Sequence, residues 1–423
     1  MSNIDLFSSV TRPRYNEVKT STTSNHAARI LSGLKRITLR KVLLKLHLYI
    51  SLWLGLFLAL AGLTGSLLVY DHSLDKWLNA ETMQVEPGQQ RLPIKDLIAA
   101  ANNASPIKVK PSYINLPEEP DEALIVRYPI KEPGTESKAM SHHFQEVMVN
   151  PYTGQVLGDR DRNDSFMNIV IRLHANLLVG SNGKLIMGIT SLLALILTMT
   201  GIYLWWPKFS KLKQALVIKR NASFTRFNFD LHKVVGIYTA IVMFAVCLSG
   251  VYFNLPDVFK PVVAYFSPLD GMSGMSAMMG GVKSEKDTGT TLTPEVVMAL
   301  VEAAYPGIQV QRIFFPANAE DSYRISARQV DEVRSRGATS IWLDQYSGKF
   351  VKIRDPKTFA AGNAFINLQL PLHNGEILGT PGRLMVLVTG FAPLLLLVTG
   401  IIHWLKKRKA KRIHNARLNA MSV

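Results

Sequence analysis

Four histidines in this 423-residue chain recur at matched positions: His47, His174, His232 and His373. Gly65 follows His47 by eighteen residues, and Gly250 follows His232 by the same interval. Thr200-Gly201 ends twenty-seven residues after His174, and Thr399-Gly400 ends twenty-seven residues after His373. Imidazole is a titratable base, a hydrogen-bonding group and a common nitrogen ligand for transition metals. Two imidazoles meeting at one depth supply the axial pair of six-coordinate porphyrin iron. Such iron passes electrons while offering no open position to oxygen or substrate. Whether these four rings can meet depends on the elements that carry them.

Those elements are apolar. Hydrophobic residues make up 48 % of the chain, and four stretches reach the roughly 20 residues that a bilayer crossing needs: 47–70, 184–206, 232–253 and 384–404. Tyr70, Trp205, Trp206, Tyr252 and Trp404 lie at their ends, as an interfacial aromatic belt would. The first apolar run follows some forty polar and basic residues and is too long for a signal core, so a cleaved signal peptide is not expected. The one cysteine, Cys247, excludes an intramolecular disulfide and an iron–sulfur cluster.

Charge sets the expected orientation. Segment 1–46 holds nine Lys/Arg against two Asp/Glu, 207–231 holds six against one, and 404–423 holds seven against none. By the positive-inside rule these segments are cytoplasmic, which puts 71–183 and 254–383 on the periplasmic side of an inner membrane. The formal charge of +17 is therefore read as a topology signal aided by anionic lipid. No folded module accompanies the basic stretches, so nucleic acid is not an expected partner.

The two large loops repeat one another. Pro93 opens a helix through Ala104 in the first; Thr293 caps a helix with Pro294 at its first position, running to Tyr305, in the second. Strand-like runs follow at Ile107–Leu116, Ala123–Ile130 and Phe144–Val149, and again at Gln309–Phe315, Ser322–Ala327 and Thr339–Leu343. The turns Asn150-Pro-Tyr-Thr-Gly154 and Asp344-Gln-Tyr-Ser-Gly348 close each set. The expected fold is a membrane α-helical protein. Two tandem two-span repeats form a four-helix transmembrane bundle, with basic cytoplasmic segments at 1–46, 207–231 and 405–423. The two loops, 71–183 and 254–383, each form a small α+β domain, a helix on an antiparallel sheet.

A helix–strand module ending in "VNPYTGQVLG", placed twice between membrane helices, resembles the PepSY-associated transmembrane family. The resemblance runs from about Lys41 to Lys409. It includes "LHLYISLWLGLFLALAGLTGSLL" and its partner "LHKVVGIYTAIVMFAVCLSGVYF", and "LHANLLVGSNGKL" and "LHNGEILGTPGRL". It implies PepSY-like outer domains, haem in the bundle and a kinship with inner-membrane ferric-siderophore reductases.

The histidine reading stands beside that resemblance. Repeats of equal orientation are related by an axis along the membrane normal, so equivalent residues share a depth. His47 and His232 would meet at the cytoplasmic level and His174 and His373 at the periplasmic level, giving haem b at two bis-histidine sites, or at one at least. A single histidine at a helix end is more often an interfacial residue or a hydrogen-bonding partner of a neighbouring helix; two repeat-related pairs tip the balance toward function. His72 and His403 are lesser candidates for iron, because Asp257 and Leu204 stand at their repeat equivalents. Arg172, Lys184 and Arg383 lie near the outer histidines and could pair with propionates or with lipid headgroups. Gly55, Gly62, Gly65, Gly188, Gly201, Gly236, Gly250, Gly390 and Gly400 punctuate the spans, as close helix packing alone also requires. His26, His142, His143 and His414 read as solvated. Met272, Met275, Met278 and Met279 in "GMSGMSAMMGG" could hold Cu(I), though a flexible or membrane-resting loop is the plainer reading.

No dinucleotide fingerprint, Walker loop or HExxH motif is present. Electrons are therefore expected from a cytoplasmic flavin or flavoprotein, or from quinol. The expected acceptor is a ferric siderophore or other ferric chelate held between the outer domains, making the chain a metalloreductase. Two alternatives stay open: a non-catalytic sensor or scaffold whose outer domains bind a peptide or protein, and a copper-handling membrane protein.

Overall fold

The computed structural model describes residues 38–130, 143–269, 282–284 and 289–421. Residues 39–46 form the opening turns of the first long helix, and His47–Val423 packs as a unit of its own. His26, His142 and the four methionines of 272–279 lie outside the described residues.

Four helical segments are long and apolar enough to cross a membrane: Leu39–Leu68, Gly180–Trp205, Phe224–Asn254 and Glu376–Met421. We name the first three α1, α5 and α6. The last is interrupted. Helix α10 spans Gly379–Thr389 and α11 spans Ala392–Met421. Pro393, which has no N–H to donate and crowds the carbonyl four residues back, accounts for the break. The interruption is also where two backbones meet: a Cβ on Gly62 would stand 2.2 Å from the Gly390 carbonyl oxygen, and the Ser66 hydroxyl donates to the Leu387 carbonyl at 2.7 Å. Glycine at both positions makes that approach possible. Helix α6 packs along α5 and α11.

Among the described residues, each inter-span segment runs helices, four strands, then a helix leading into the next span. In the first, α2 (Asp71–Leu78) precedes α3 (Ile94–Ala104), β1 (Tyr113–Asn115), β2 (Leu124–Pro129), β3 (Phe144–Val149), β4 (Val156–Asp161) and α4 (Phe166–Asn176). In the second, α7 (Pro256–Phe266) precedes α8 (Pro294–Ala304), β5 (Gln309–Phe314), β6 (Tyr323–Arg328), β7 (Thr339–Leu343), β8 (Phe350–Arg354) and α9 (Ala361–Asn374). The loops thus contain the expected helices and strands, together with elements the pattern did not announce. Strands β4 and β8 follow the Asn150 and Asp344 turns instead of the sheet ending there, and α4 and α9 carry His174 and His373.

The two sheets expected of separate domains are joined. All eight strands form one antiparallel sheet in the order β4-β3-β2-β1-β5-β6-β7-β8. The seam is β1 against β5, with Tyr113 opposite Phe314, Ile114 opposite Ile313 and Asn115 opposite Arg312. Strand side chains alternate between faces. One face presents Ile114, Val126, Val147, Ile313, Ile325 and Ile341, all fully buried, beneath α3 and α8. The opposite face carries Tyr113, Asn115, Arg127, Glu146 and Arg312. The turns behave as their residues require. Asn150 Oδ1 accepts from the amides of Tyr152 and Thr153, Asp344 Oδ1 from those of Tyr346 and Ser347, and Gly154 and Gly348 take φ of 74° and 72°.

Candidate functional site

Every one of the four histidines is gripped at the same atom. His174 Nδ1 lies 3.1 Å from Thr64 Oγ1 and 3.0 Å from the Ala61 carbonyl oxygen. His373 Nδ1 lies 2.8 Å from Ser249 Oγ and 3.2 Å from the Val246 carbonyl oxygen. His47 Nδ1 meets Thr200 Oγ1 at 3.0 Å, with the Leu197 backbone beside the ring, and His232 Nδ1 meets Thr399 Oγ1 at 2.8 Å, with the Leu396 backbone beside the ring. The pattern is one device used four times: a hydroxyl residue and the backbone three positions before it, on the face of a neighbouring helix. A carbonyl oxygen only accepts, so Nδ1 of His174 and of His373 carries the proton and Nε2 keeps its lone pair. None of these rings makes a hydrogen bond through Nε2 among the described residues.

A glycine follows each hydroxyl residue, and the ring rests on it. A Cβ on Gly65 would stand 3.0 Å from His174 Cε1; on Gly201, 3.3 Å from His47 Cε1; on Gly400, 3.6 Å from His232 Cε1; on Gly250, 4.0 Å from His373 Cε1. The Thr200-Gly201 and Thr399-Gly400 pairs are visible in sequence as part of the repeat, and the structure supplies their partners. Thr200-Gly201 holds His47, not His174, and Thr64-Gly65 holds His174. The hydroxyl residues before Gly65 and Gly250, namely Thr64 and Ser249, were the overlooked signal.

His174 and His373 meet. Their ring centroids are 6.0 Å apart with planes at 70°, and the Phe253 ring packs edge-on against His373 at 5.3 Å. Both histidines line a cavity of about 1140 Å³, a little above the ~300–1,000 Å³ usual for ligand sites. Its wall includes Gly65, Cys247 and Gly250 from the spans. On the far side, His232 lies within electrostatic reach of both His47 and His403, and His403 packs 5.5 Å from the Phe229 ring. No group of three or more His, Cys, Asp or Glu is arranged to hold a metal ion among the described residues.

The candidate cations divide. Lys184 and Arg383 line the cavity, and Arg383 is fixed by donating to the Val69 carbonyl and lying 4.2 Å over the Tyr70 ring. Arg172 is not among the residues of the cavity wall. Arg334 and Arg336, on the loop between β6 and β7, are there instead. That loop is held by Glu332, which accepts from the Ala338 amide at 2.7 Å and from the Thr339 hydroxyl. His72 also lines the cavity, with Nε2 3.0 Å from Glu122 Oε1. Glu122 further receives Lys76 at 3.2 Å. Burial alone would raise the Glu122 carboxyl, but His72, the Glu118 amide and Lys76 outweigh it and hold it down to about 2. The same hydrogen bond raises His72, against the opposing effect of burial.

Residues 44–407 match the family described as the PepSY-associated TM region. The chain belongs to that family. It is accordingly a multi-pass membrane protein with PepSY-type extramembranous structure, and no curated protein matches its sequence.

Proposed function

We propose that this PepSY-associated membrane protein binds haem b between His174 and His373, and a second haem at His47 and His232. By this reading it carries electrons across an inner membrane to reduce a periplasmic ferric chelate of the siderophore type. The observation that carries the reading is the fixed Nδ1 of all four rings. Iron-ligating histidines are held in this way, with the other ring nitrogen bonded to an acceptor that sets the tautomer. His174 and His373, whose ring centroids are 6.0 Å apart, would hold the group between them. The glycines beneath the rings are places that a Cβ would fill.

Haem held by two imidazoles would supply reversible one-electron chemistry without an open iron position. The chain's own groups do the rest. The carbonyls of Ala61 and Val246 keep Nε2 of His174 and His373 unprotonated. Thr64 and Ser249 orient the rings. Lys184 and Arg383 offer positive charge to carboxylates at the cavity wall. The element order that recurs on both sides of the β1–β5 seam supports two tandem repeats about an axis normal to the membrane. The basic stretches support cytoplasmic termini and a periplasmic sheet.

The test is a spectrum of the purified protein from haem-sufficient cells. Soret and α bands that sharpen on dithionite, with haem content lowered by at least half in a His174→Ala/His373→Ala variant, are expected. A colourless preparation would overturn the proposal and favour the sensor or scaffold reading.

A further inference from the structure

Between the sheet and the bundle, above the histidine-lined cavity, lies a second chamber of about 120 Å³. The two share Asp71, His72, Lys76 and Arg336 as wall residues. The chamber is unusually rich in guanidinium. Glu146, fully buried, receives Arg127 at 2.5 Å and Arg160 at 2.8 Å, with Arg162 at 3.5 Å. Asp75 takes Arg160 at 2.6 Å and Asp71 takes Arg336 at 3.1 Å. Glu122 takes His72 and Lys76. Each of these acids is committed to a cation. Arg312 is the exception on the other side: among the described residues no acid pairs with it. Its neighbour across the seam, Asn115, also lines the chamber, and Asn115 Oδ1 is buried without a hydrogen-bond partner.

A partly buried guanidinium without a counter-charge costs free energy that a structural role does not recover. Burial pushes Arg312 down to about 10; Tyr113 opposes the push, while the guanidinium groups of Arg336, Arg127 and Arg162 add to it. A planar fork of donors of this kind matches a carboxylate in two-point contact, and the neighbouring Asn115 oxygen can accept from a hydroxyl on the same ligand.

We infer that Arg312, with Asn115 beside it, is a carboxylate-binding position in this chamber, next to the histidine-lined cavity. Two carboxylates can reach such a position: the acidic arm of a ferric chelate entering under the sheet, and a propionate of haem held below. The chelate source deepens the reductase reading and rests on it. The binding measurement does not, because gallium(III) citrate mimics a carboxylate-bearing ferric chelate without being reducible.

The experiment titrates gallium(III) citrate into the detergent-purified full chain and into Arg312→Gln, with haem per polypeptide counted in both. Affinity lowered about 10-fold or more in Arg312→Gln, with haem content unchanged, assigns the site to the chelate. Haem content lowered with citrate binding unchanged assigns it to the propionate. Neither changing overturns the inference. Thermal unfolding guards against a variant that simply misfolds. With no ligand added, Arg312→Met should unfold no lower than the parent, since an unpaired charge has been removed. A loss of several degrees there would mean that Arg312 is structural, which also overturns the inference.

Discussion

At each ring the decisive atom is Nδ1, not the nitrogen that would face iron. Thr64 and Ser249 meet Nδ1 of His174 and His373, while Ala61 and Val246 supply carbonyls to the same atoms. Removing the hydroxyls alone should therefore loosen the rings without displacing them. Thr64→Val with Ser249→Ala is expected to weaken haem retention about 10-fold, the lower end for loss of a partner behind a metal ligand. Titration of haem into haem-depleted protein measures it, and undiminished affinity would show that the carbonyls suffice. His72 offers a pH test outside the spans. Its pKa is raised, so its contribution is complete below its unfolded value near 6.5 and fades as pH rises through the higher folded value. Glu122 is depressed to about 2, so its contribution is complete above an unfolded value of about 4.3 and fades as pH falls toward 2. The pair should stabilise most between about 4.5 and 6.5. The unfolding-temperature difference between the parent and His72→Gln should peak in that window, and a difference flat from pH 5 to 9 would refute the coupling. The four histidines were legible in sequence because repetition marks them. Thr64 and Ser249 were not, because hydroxyl residues in apolar helices commonly bond their own backbone, as both also do here.

At the scale of elements, the span helices and most strands follow from patterns that a single residue cannot disguise. Continuous apolar runs of about 20 residues gave the spans, and Phe144–Val149 and Thr339–Leu343 begin and end where the β-rich runs do. Strand β4, Val156–Asp161, escaped because its sequence VLGDRD is polar and holds a glycine. Tertiary charge pairing makes it a strand: Arg160 reaches both Glu146 and Asp75. Helices α4 and α9 were not announced by the pattern, yet they bring His174 and His373 to the cavity. Glu146 binds this layer together. Its burial favours the neutral acid, but three guanidinium groups outweigh that and lower its pKa. Glu146→Gln leaves Arg127 and Arg160 facing each other without the charge between them. It should cost about 3–5 kcal/mol, read from denaturant unfolding by an optical signal of the sheet domain. A cost below about 1 kcal/mol would place the weight of this layer elsewhere, since exposed pairs are worth that little. The loop between β6 and β7 has a similar single point of failure. Gly337 has φ of 53°, and a Cβ there would lie 2.1 Å from the Ala327 carbonyl oxygen, so Gly337→Ala should displace Arg334 and Arg336 from the cavity rim.

For the whole molecule, the seam between β1 and β5 matters more than any one strand. Two antiparallel strands pair about a local two-fold axis, and here Ile114 faces Ile313 at its centre, both fully buried. On the proposed repeat, His174 would correspond to His373 and their hydroxyl partners Thr64 to Ser249. Sequence could expose the two halves but not their union, because β1 is only three residues long and nothing in it names the strand it will join. On that proposal, one axis through sheet and bundle would put the sheet, the His174–His373 level and the starts of α5 and α10 on one side, with the basic end of α11 on the other. Between Leu405 and Met421, α11 is exposed and carries seven Lys/Arg and no acid. By the positive-inside rule a short basic flank such as this resists translocation, whereas long segments such as the two that build the sheet cross largely regardless of charge. The orientation is open to direct test, because Cys247 is the sole cysteine and buried. In a Cys247→Ser background, Trp77→Cys on α2, 71 % exposed in the parent, should react with a membrane-impermeant maleimide in intact spheroplasts. Leu418→Cys on α11 should react only after lysis. Labelling in the opposite order would place the sheet in the cytoplasm and remove the periplasmic chelate from contention, while leaving the four-ring geometry to be explained by another electron path.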